Sequence, residues 1–138
     1  MKLFNLFRKG NTPPQKTLHI AGIGKMHLVK EYGELLFKGT ITSSSISNNF
    51  VLRFPVNADD LTNFQIDYYR LIEQNWAEIV NQLPQNKMKG LFIVSDILIP
   101  DSHDSRYDIG AEIVMKNDLS VYSVILKDTT VEEVIYIE

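Results

Sequence analysis

The residues with the clearest capacity for chemistry lie together between positions 101 and 108, in the sequence Asp-Ser-His-Asp-Ser-Arg-Tyr-Asp. Their carboxylates and imidazole offer the oxygen and nitrogen donors that divalent cations take in proteins. The candidate metal ligands are Asp101, His103, Asp104 and Asp108. Arg106 stands where a calcium-binding loop needs glycine, so the match to that template is poor. The alternative is a solvated loop whose Asp and Ser side chains cap their own backbone.

The same loop is also a candidate surface for a protein partner. Acidic surfaces steer basic partners, and exposed aromatic side chains anchor interfaces. The predicted partner-binding residues are Tyr69, Asp101, Asp104 and Tyr107. Tyr68 and Trp76 lie on the apolar stripe of a predicted helix and are expected in the core instead. The chain has no cysteine and no Gly-x-Ser-x-Gly motif, so the sequence predicts no catalytic residue and no cofactor.

The charge of the chain is unevenly distributed. The net charge is −3, but residues 1–16 hold four basic residues and no acid, which leaves −7 on residues 17–138. An acidic body repels phosphates, so we expect no nucleic-acid partner. The same charge favours a basic protein partner.

Residues 1–9, Met-Lys-Leu-Phe-Asn-Leu-Phe-Arg-Lys, combine large apolar side chains with cations. Such a segment could make a weak contact with an anionic membrane surface, or enter a groove of a partner. The residues predicted to make this contact are Leu3, Phe4, Phe7, Arg8 and Lys9. The alternatives are a frayed terminus and a segment docked on its own domain. Because Pro13 and Pro14 break any helix, residues 1–16 are treated as a tail and linker, and 17–138 as one domain.

Most of the remaining chain is predicted to form short strands, because it is rich in β-branched and aromatic residues punctuated by turn formers. The predicted strands cover 17–23, 26–32, 34–42, 50–54, 90–100, 107–116, 120–127 and 131–137. The strand at 90–100 is apolar at both alternating positions, which predicts a central strand covered on both faces. Within it Asp96 is expected to be a surface group rather than a buried acid with a shifted pKa.

Between residues 58 and 83 the apolar spacing changes from two to about 3.6, which predicts one long helix packed on the sheet. Asn57 or Asp59 is the expected N-cap, and Pro84 follows the expected end. Strands, one helix and then more strands predict an α+β fold with a mainly antiparallel sheet of seven or eight strands.

Residues 20–83 resemble a group of small bacterial α+β domains of uncharacterised function. The resemblance is carried by the spacing of strands, glycines and helix, in Ile23-Gly24-Lys25-Met26, Leu36-Phe37-Lys38-Gly39-Thr40-Ile41, Val51-Leu52-Arg53-Phe54 and a helix with Ile72, Trp76 and Ile79. Such domains are often encoded beside toxin genes, so the resemblance implies an immunity-type role. It supplies no catalytic residues.

The sequence therefore predicts a cytoplasmic, non-enzymatic protein-binding domain, with a bacterial immunity protein that neutralises a toxin as its most concrete form. Two alternatives stay open at this point. One is a small metal-dependent hydrolase that uses the loop at 101–108, and the other is a membrane-peripheral accessory protein that uses the tail. The sequence leaves the oligomeric state open.

Overall fold

The computed structural model describes residues 16–138, and within them the chain forms one sheet of eight strands and two helices. The strands are β1 (Lys16–Ile20), β2 (Gly24–Glu31), β3 (Glu34–Thr42), β4 (Asn49–Pro55), β5 (Ile93–Leu98), β6 (Ala111–Lys116), β7 (Val121–Lys127) and β8 (Thr130–Tyr136). The helices, α1 (Asn63–Gln74) and α2 (Trp76–Asn81), both lie between β4 and β5. The predicted α+β class is confirmed. The predicted tail contacts Leu3, Phe4, Phe7, Arg8 and Lys9 lie outside the described residues.

The strands follow one another across the sheet in chain order, and every neighbouring pair is antiparallel except β4 and β5. A parallel pair needs a long crossover connection, which residues 56–92 supply. Because this crossover contains both helices, it brings them onto one face of the sheet.

Alternating side chains on β4 show how the two faces differ. Phe50, Leu52 and Phe54 are buried beneath the helices, whereas Val51 and Arg53 are half-exposed on the opposite face. This period of two is what a sheet with one covered face produces. We call the face that carries Val51 and Arg53 the outer face.

The prediction of one long helix over 58–83 is wrong, because the helical segment breaks at Asn75. Its backbone leaves the α region, at φ −108° and ψ 18°, and its side-chain amide donates to the carbonyl of Leu71 at 2.9 Å. That carbonyl also accepts the Asn75 backbone N–H at 3.0 Å, so the break is a local change of backbone angles at which the side chain shares an acceptor with the helix. The start was also placed too early, since the N-cap is Thr62, which forms a capping box with Gln65.

The prediction that the strand at 90–100 is covered on both faces is also wrong. Val94 and Ile97 are buried, but Ile93 is 49% exposed. A bulge between Val94 and Asp96 shifts the register with β6, and the half-exposed Asp96 carboxylate pairs with Arg53 on the outer face.

Among the described residues, no helix is long and apolar enough to cross a membrane.

Candidate functional site

A cleft of about 350 Å³ opens where the 101–110 loop, the start of α1 and the β7–β8 turn meet. A second depression continues from it along α1. The two share Phe64, Tyr68 and Asp128, so they form one continuous surface. We call this surface the α1 groove. The lining residues used below are Phe64, Asp67, Tyr68, Leu71, Tyr107, Asp108, Lys127, Asp128 and Glu132.

The floor of the α1 groove is an apolar stripe on the helix. Phe64, Tyr68 and Leu71 are spaced by four and three residues, so their side chains lie on one face of α1. Phe64 and Leu71 are 41% and 40% exposed, although the core residues Gln65, Tyr69 and Ile72 on the adjacent face are buried. The sheet therefore covers only part of the apolar sector of α1, and the rest is free to contact a ligand.

Tyr68 holds the groove in shape by joining the helix to the β7–β8 turn. Its hydroxyl donates to the backbone carbonyl of Asp128 at 2.7 Å, and its ring meets that of Phe64 edge to face, with centroids 5.6 Å apart. Burial, reinforced by the negative charge of Asp128, raises the pKa of the Tyr68 hydroxyl above its usual value. The hydroxyl thus stays a neutral donor engaged in a structural bond, and is neither a base nor a nucleophile.

The rim of the groove is acidic. Asp67, Asp108, Asp128 and Glu132 are all exposed there, and within the lining of the groove Lys127 is the single cation. An apolar floor with an acidic rim fits a ligand that combines apolar and cationic groups, because the charges give orientation while the buried apolar area gives affinity.

The structure corrects the prediction for Asp104, which is a structural residue. Its carboxylate is buried and accepts Arg106 Nε at 2.9 Å and Nη2 at 2.6 Å, together with the Arg106 backbone N–H at 3.1 Å. These bonds hold the pKa of Asp104 below its usual value. The carboxylate is therefore not free to bind a metal or a partner.

The other predicted loop residues lie apart from one another. Asp101 accepts a hydrogen bond from Thr62 Oγ1 at 3.1 Å, beside the start of α1, whereas His103 is exposed. Tyr107 and Asp108 line the groove, and the Tyr107 hydroxyl donates to the Glu34 carboxylate at 3.2 Å. In residues 16–138 no three His, Asp or Glu side chains are grouped so as to hold a metal, so the set Asp101, His103, Asp104 and Asp108 is not assembled.

Tyr69 is also corrected, because it belongs to the core. Its side chain is fully buried, with its ring 6.2 Å from that of Phe50 and its hydroxyl donating to Glu73 at 3.0 Å. Its predicted role in partner binding needs an exposed ring and is therefore excluded.

The sequence analysis did not identify the groove residues Phe64, Asp67, Leu71, Asp128 and Glu132. The available signal was the width of the apolar stripe, which exceeds what one sheet face can cover.

The pairing of Asp104 with Arg106 predicts a stability change that depends on pH. The pKa of Asp104 is lowered on folding, so the ionised carboxylate stabilises the fold above its unfolded value of 3.8, and this contribution is lost as pH falls through the folded pKa. We expect Asp104→Asn to lower the free energy of unfolding by about 1 to 2 kcal/mol at pH 7. This loss is smaller than for a fully buried ion pair, because the Arg106 side chain is over one third exposed and water screens the pair.

Urea unfolding at pH 7 and at pH 3 measures this effect. The difference between wild type and Asp104→Asn should shrink at the lower pH. Asp108→Asn is the matched control in the same loop, because Asp108 is exposed, and it should change stability little at either pH. An Asp104→Asn difference that stays constant between the two pH values would contradict the assignment.

Comparison of the chain with protein-family models, with curated proteins and with solved structures found no match.

Proposed function

We propose that this chain is a non-enzymatic protein-binding domain that holds a basic, partly apolar segment of a partner protein in the α1 groove. Its most concrete form is a bacterial immunity protein that acts in the cytoplasm by neutralising a toxin. The observation that carries the proposal is the stripe of Phe64, Tyr68 and Leu71, left partly exposed between acidic side chains.

Exposure of large apolar side chains costs solubility, and such patches often mark interaction sites. Here Phe64 and Leu71 each leave about two fifths of their surface in water, on a helix already anchored by buried neighbours. Aromatic and aliphatic side chains held on a rigid element lose little entropy on binding. The stripe is therefore suited to anchor a partner.

The chemistry of the groove supports binding over catalysis. Tyr68 is committed as a donor to Asp128, Asp104 is neutralised by Arg106, and Tyr107 bonds to Glu34. The polar groups near the cleft thus complete hydrogen bonds of the fold. The exposed acids of the rim are left to act on a partner through charge.

Charge explains why a basic toxin is the partner class that we favour. The net charge of residues 17–138 is −7, and an acidic surface can occupy a basic substrate channel or an allosteric site of such a toxin. Charge complementarity also speeds association, which benefits a protein that must bind a toxin before it acts.

The proposal is tested by reversing charge at the rim and measuring binding to the purified product of a gene that neighbours the one encoding this chain. We expect Asp128→Lys combined with Glu132→Lys to weaken binding by roughly tenfold or more, with a larger loss at low salt. Glu133→Lys is the matched control, because Glu133 is exposed, neighbours Glu132 in the chain and lies opposite Ile125 in the β7–β8 register. Titration calorimetry gives the affinities.

Leu71→Ser tests the apolar floor in the same assay, with Leu91→Ser as its control, because Leu91 is 94% exposed and does not line the groove. Equal binding by wild type and by the groove variants would refute the proposed site. Failure of the wild-type protein to bind the neighbouring gene product or to protect cells from it would refute the immunity role.

A further inference from the structure

The outer face of the sheet is apolar over β5 to β8. Within residues 16–138 both helices lie on the opposite face, so they leave this surface uncovered. Ile93, Ile135 and Ile137 are each between 41% and 54% exposed there. Strand register places four further apolar side chains on the same face, which are Leu98, Val114, Val121 and Ile125. We call these seven residues, together with Lys116 and Glu133, the outer patch.

The two charged side chains of the outer patch have opposite signs. Lys116 and Glu133 are both exposed, and neither makes an ion pair within residues 16–138. The other half of the same face differs, because Arg53 there pairs with both Glu31 and Asp96. One cation and one anion set among apolar groups suit a partner surface that carries the same two charges in the reverse positions.

Lys116 and Glu133 occupy symmetric positions around Ser123. Lys116 lies opposite Val121 on β7 and Glu133 lies opposite Ile125, so Ser123 is midway between them. Two strand spacings of about 4.8 Å and four residues of about 3.4 Å separate the pair by roughly 17 Å, which is too far for contact within one chain. A two-fold axis that passes over Ser123, in the plane of the interface, brings Lys116 of each copy to Glu133 of the other.

The same axis places apolar side chains on one another. Ile135 of one copy falls beside Val121 of the other, and Val114 falls beside Ile125, because these residues surround the axis on β6, β7 and β8. The axis runs diagonally across the strands, so the strands of the two copies cross at close to a right angle. Orthogonal crossing is one of the two common ways in which sheets pack face to face.

The size of the outer patch sets the expected strength of this contact. Four strands at about 4.8 Å and six residues at about 3.4 Å make a face of roughly 20 by 20 Å. Two such faces, with their projecting side chains, bury on the order of 1,000 Å² in total, which is the lower limit for a specific interface. The expected dissociation constant is therefore roughly 10 to 100 μM.

We propose that the chain forms a two-fold dimer through the outer patch, in which Lys116 and Glu133 pair reciprocally and the apolar side chains pack around Ser123. The α1 groove lies on the side of the sheet that carries the helices, so it stays open in this dimer. The dimer does not depend on the proposed function, because no residue of the groove takes part in it.

Sedimentation velocity of the full chain between about 1 and 500 μM measures this association. We expect the wild-type chain to shift from monomer towards dimer across this range. Lys116→Glu and Glu133→Lys should each weaken the dimer by roughly tenfold or more, because each brings like charges together at both reciprocal contacts. The two substitutions combined should restore the dissociation constant to within about threefold of the wild-type value, because opposite charges then meet again.

Two variants serve as matched controls. Lys30→Glu makes the same charge change at an exposed position of β2, outside the outer patch, and Leu71→Ser removes an exposed apolar side chain from the α1 groove. Both should dimerise as the wild-type chain does. Ile135→Ser lies in the outer patch, and it should weaken the dimer by roughly fivefold or more.

Three results would overturn the dimer. The first is a monomer throughout the concentration range. The second is loss of association in Leu71→Ser while Lys116→Glu has no effect, because the copies would then meet through the groove. The third is failure of the combined variant to associate although its urea unfolding matches that of the wild-type chain, since Lys116 and Glu133 would then not be paired.

Glu133→Lys separates the dimer from the proposed function. It is the control for partner binding, because Glu133 lies outside the α1 groove, and we expect it to keep partner binding while it loses the dimer. If Glu133→Lys dimerises as the wild-type chain does, the dimer proposal is wrong whatever the result of the partner titration.

Discussion

Replacement of Gln65 by leucine is expected to lower the free energy of unfolding by about 3 kcal/mol, because it leaves two buried carbonyl groups without a donor. Gln65 is fully buried, and its Nε2 donates to the carbonyl oxygens of Pro55 at 2.7 Å and Ile99 at 3.0 Å. These carbonyls belong to the segments that follow or end β4 and β5. The side chain thus ties α1 to the carboxyl ends of the two parallel strands, where the crossover leaves β4.

The acceptor end of the same amide adds to the expected loss. Gln65 Oε1 accepts the backbone N–H of Thr62 at 3.2 Å, which completes the capping box. Leucine has nearly the same volume but can neither donate nor accept, so packing is kept while the hydrogen bonds are lost. The cost therefore reports on hydrogen bonds rather than on a cavity.

Urea unfolding of Gln65→Leu and Gln82→Leu compares a buried with an exposed amide. Gln82 also bridges two elements, since its Nε2 donates to the carbonyl of Thr129 at 2.9 Å and its Oε1 accepts the N–H of Val131 at 2.8 Å. Because Gln82 is exposed, water can replace these partners, and we expect a loss of about 0.5 to 1 kcal/mol. Equal losses for the two variants would show that burial does not set the cost.

Alanine at position 110 is expected to cost about 2 to 3 kcal/mol of stability, because there is no space for a methyl group. A Cβ on Gly110 would clash with the Tyr68 hydroxyl oxygen and lie 2.7 Å from the carbonyl oxygen of Leu126. Neither atom can retreat freely. The hydroxyl donates to Asp128, and the Leu126 carbonyl accepts the Gly110 N–H at 3.0 Å.

The same substitution should disturb the α1 groove, because relief of the clash moves Tyr68 away from the β7–β8 turn. Tyr68→Phe removes the hydroxyl and leaves the ring, so a double-mutant cycle isolates this contact. We expect Gly110→Ala to cost less in the Tyr68→Phe background, with the Leu126 contact accounting for what remains. Strictly additive losses would show that Tyr68 and Gly110 are not in contact.

The predictions that succeeded depend on local pattern. Alternation in residues 50–54 predicted β4, and the change of period near residue 60 predicted helix after it. The break at Asn75 was missed because the apolar spacing continues through it, from Ile72 to Ile79. A helical period records which residues share a face, and it does not record whether the backbone of one residue departs from helical angles.

For the candidate site, composition identified the loop at 101–108 but not the role of each side chain. Tyr107 and Asp108 do line the groove, whereas the Asp104 carboxylate forms an ion pair with Arg106, two residues later in the chain. A carboxylate that lines the groove and one that is buried in an ion pair are both compatible with the same cluster of polar residues. Only the course of the loop decides which carboxylate turns inward to meet the guanidinium.

The sequence by itself determined the α+β class, the mainly antiparallel character of the sheet and the separation of a basic apolar segment from an acidic body. Hydrophobic period and charge can be read from the residue types alone. Only the tertiary structure decided which part of the α1 stripe stays in water. The stripe is wider than the sheet can cover, so Tyr69 and Ile72 are buried while Phe64 and Leu71 remain exposed. Burial depends on which other side chains pack against a residue, and these contacts are set by the tertiary fold.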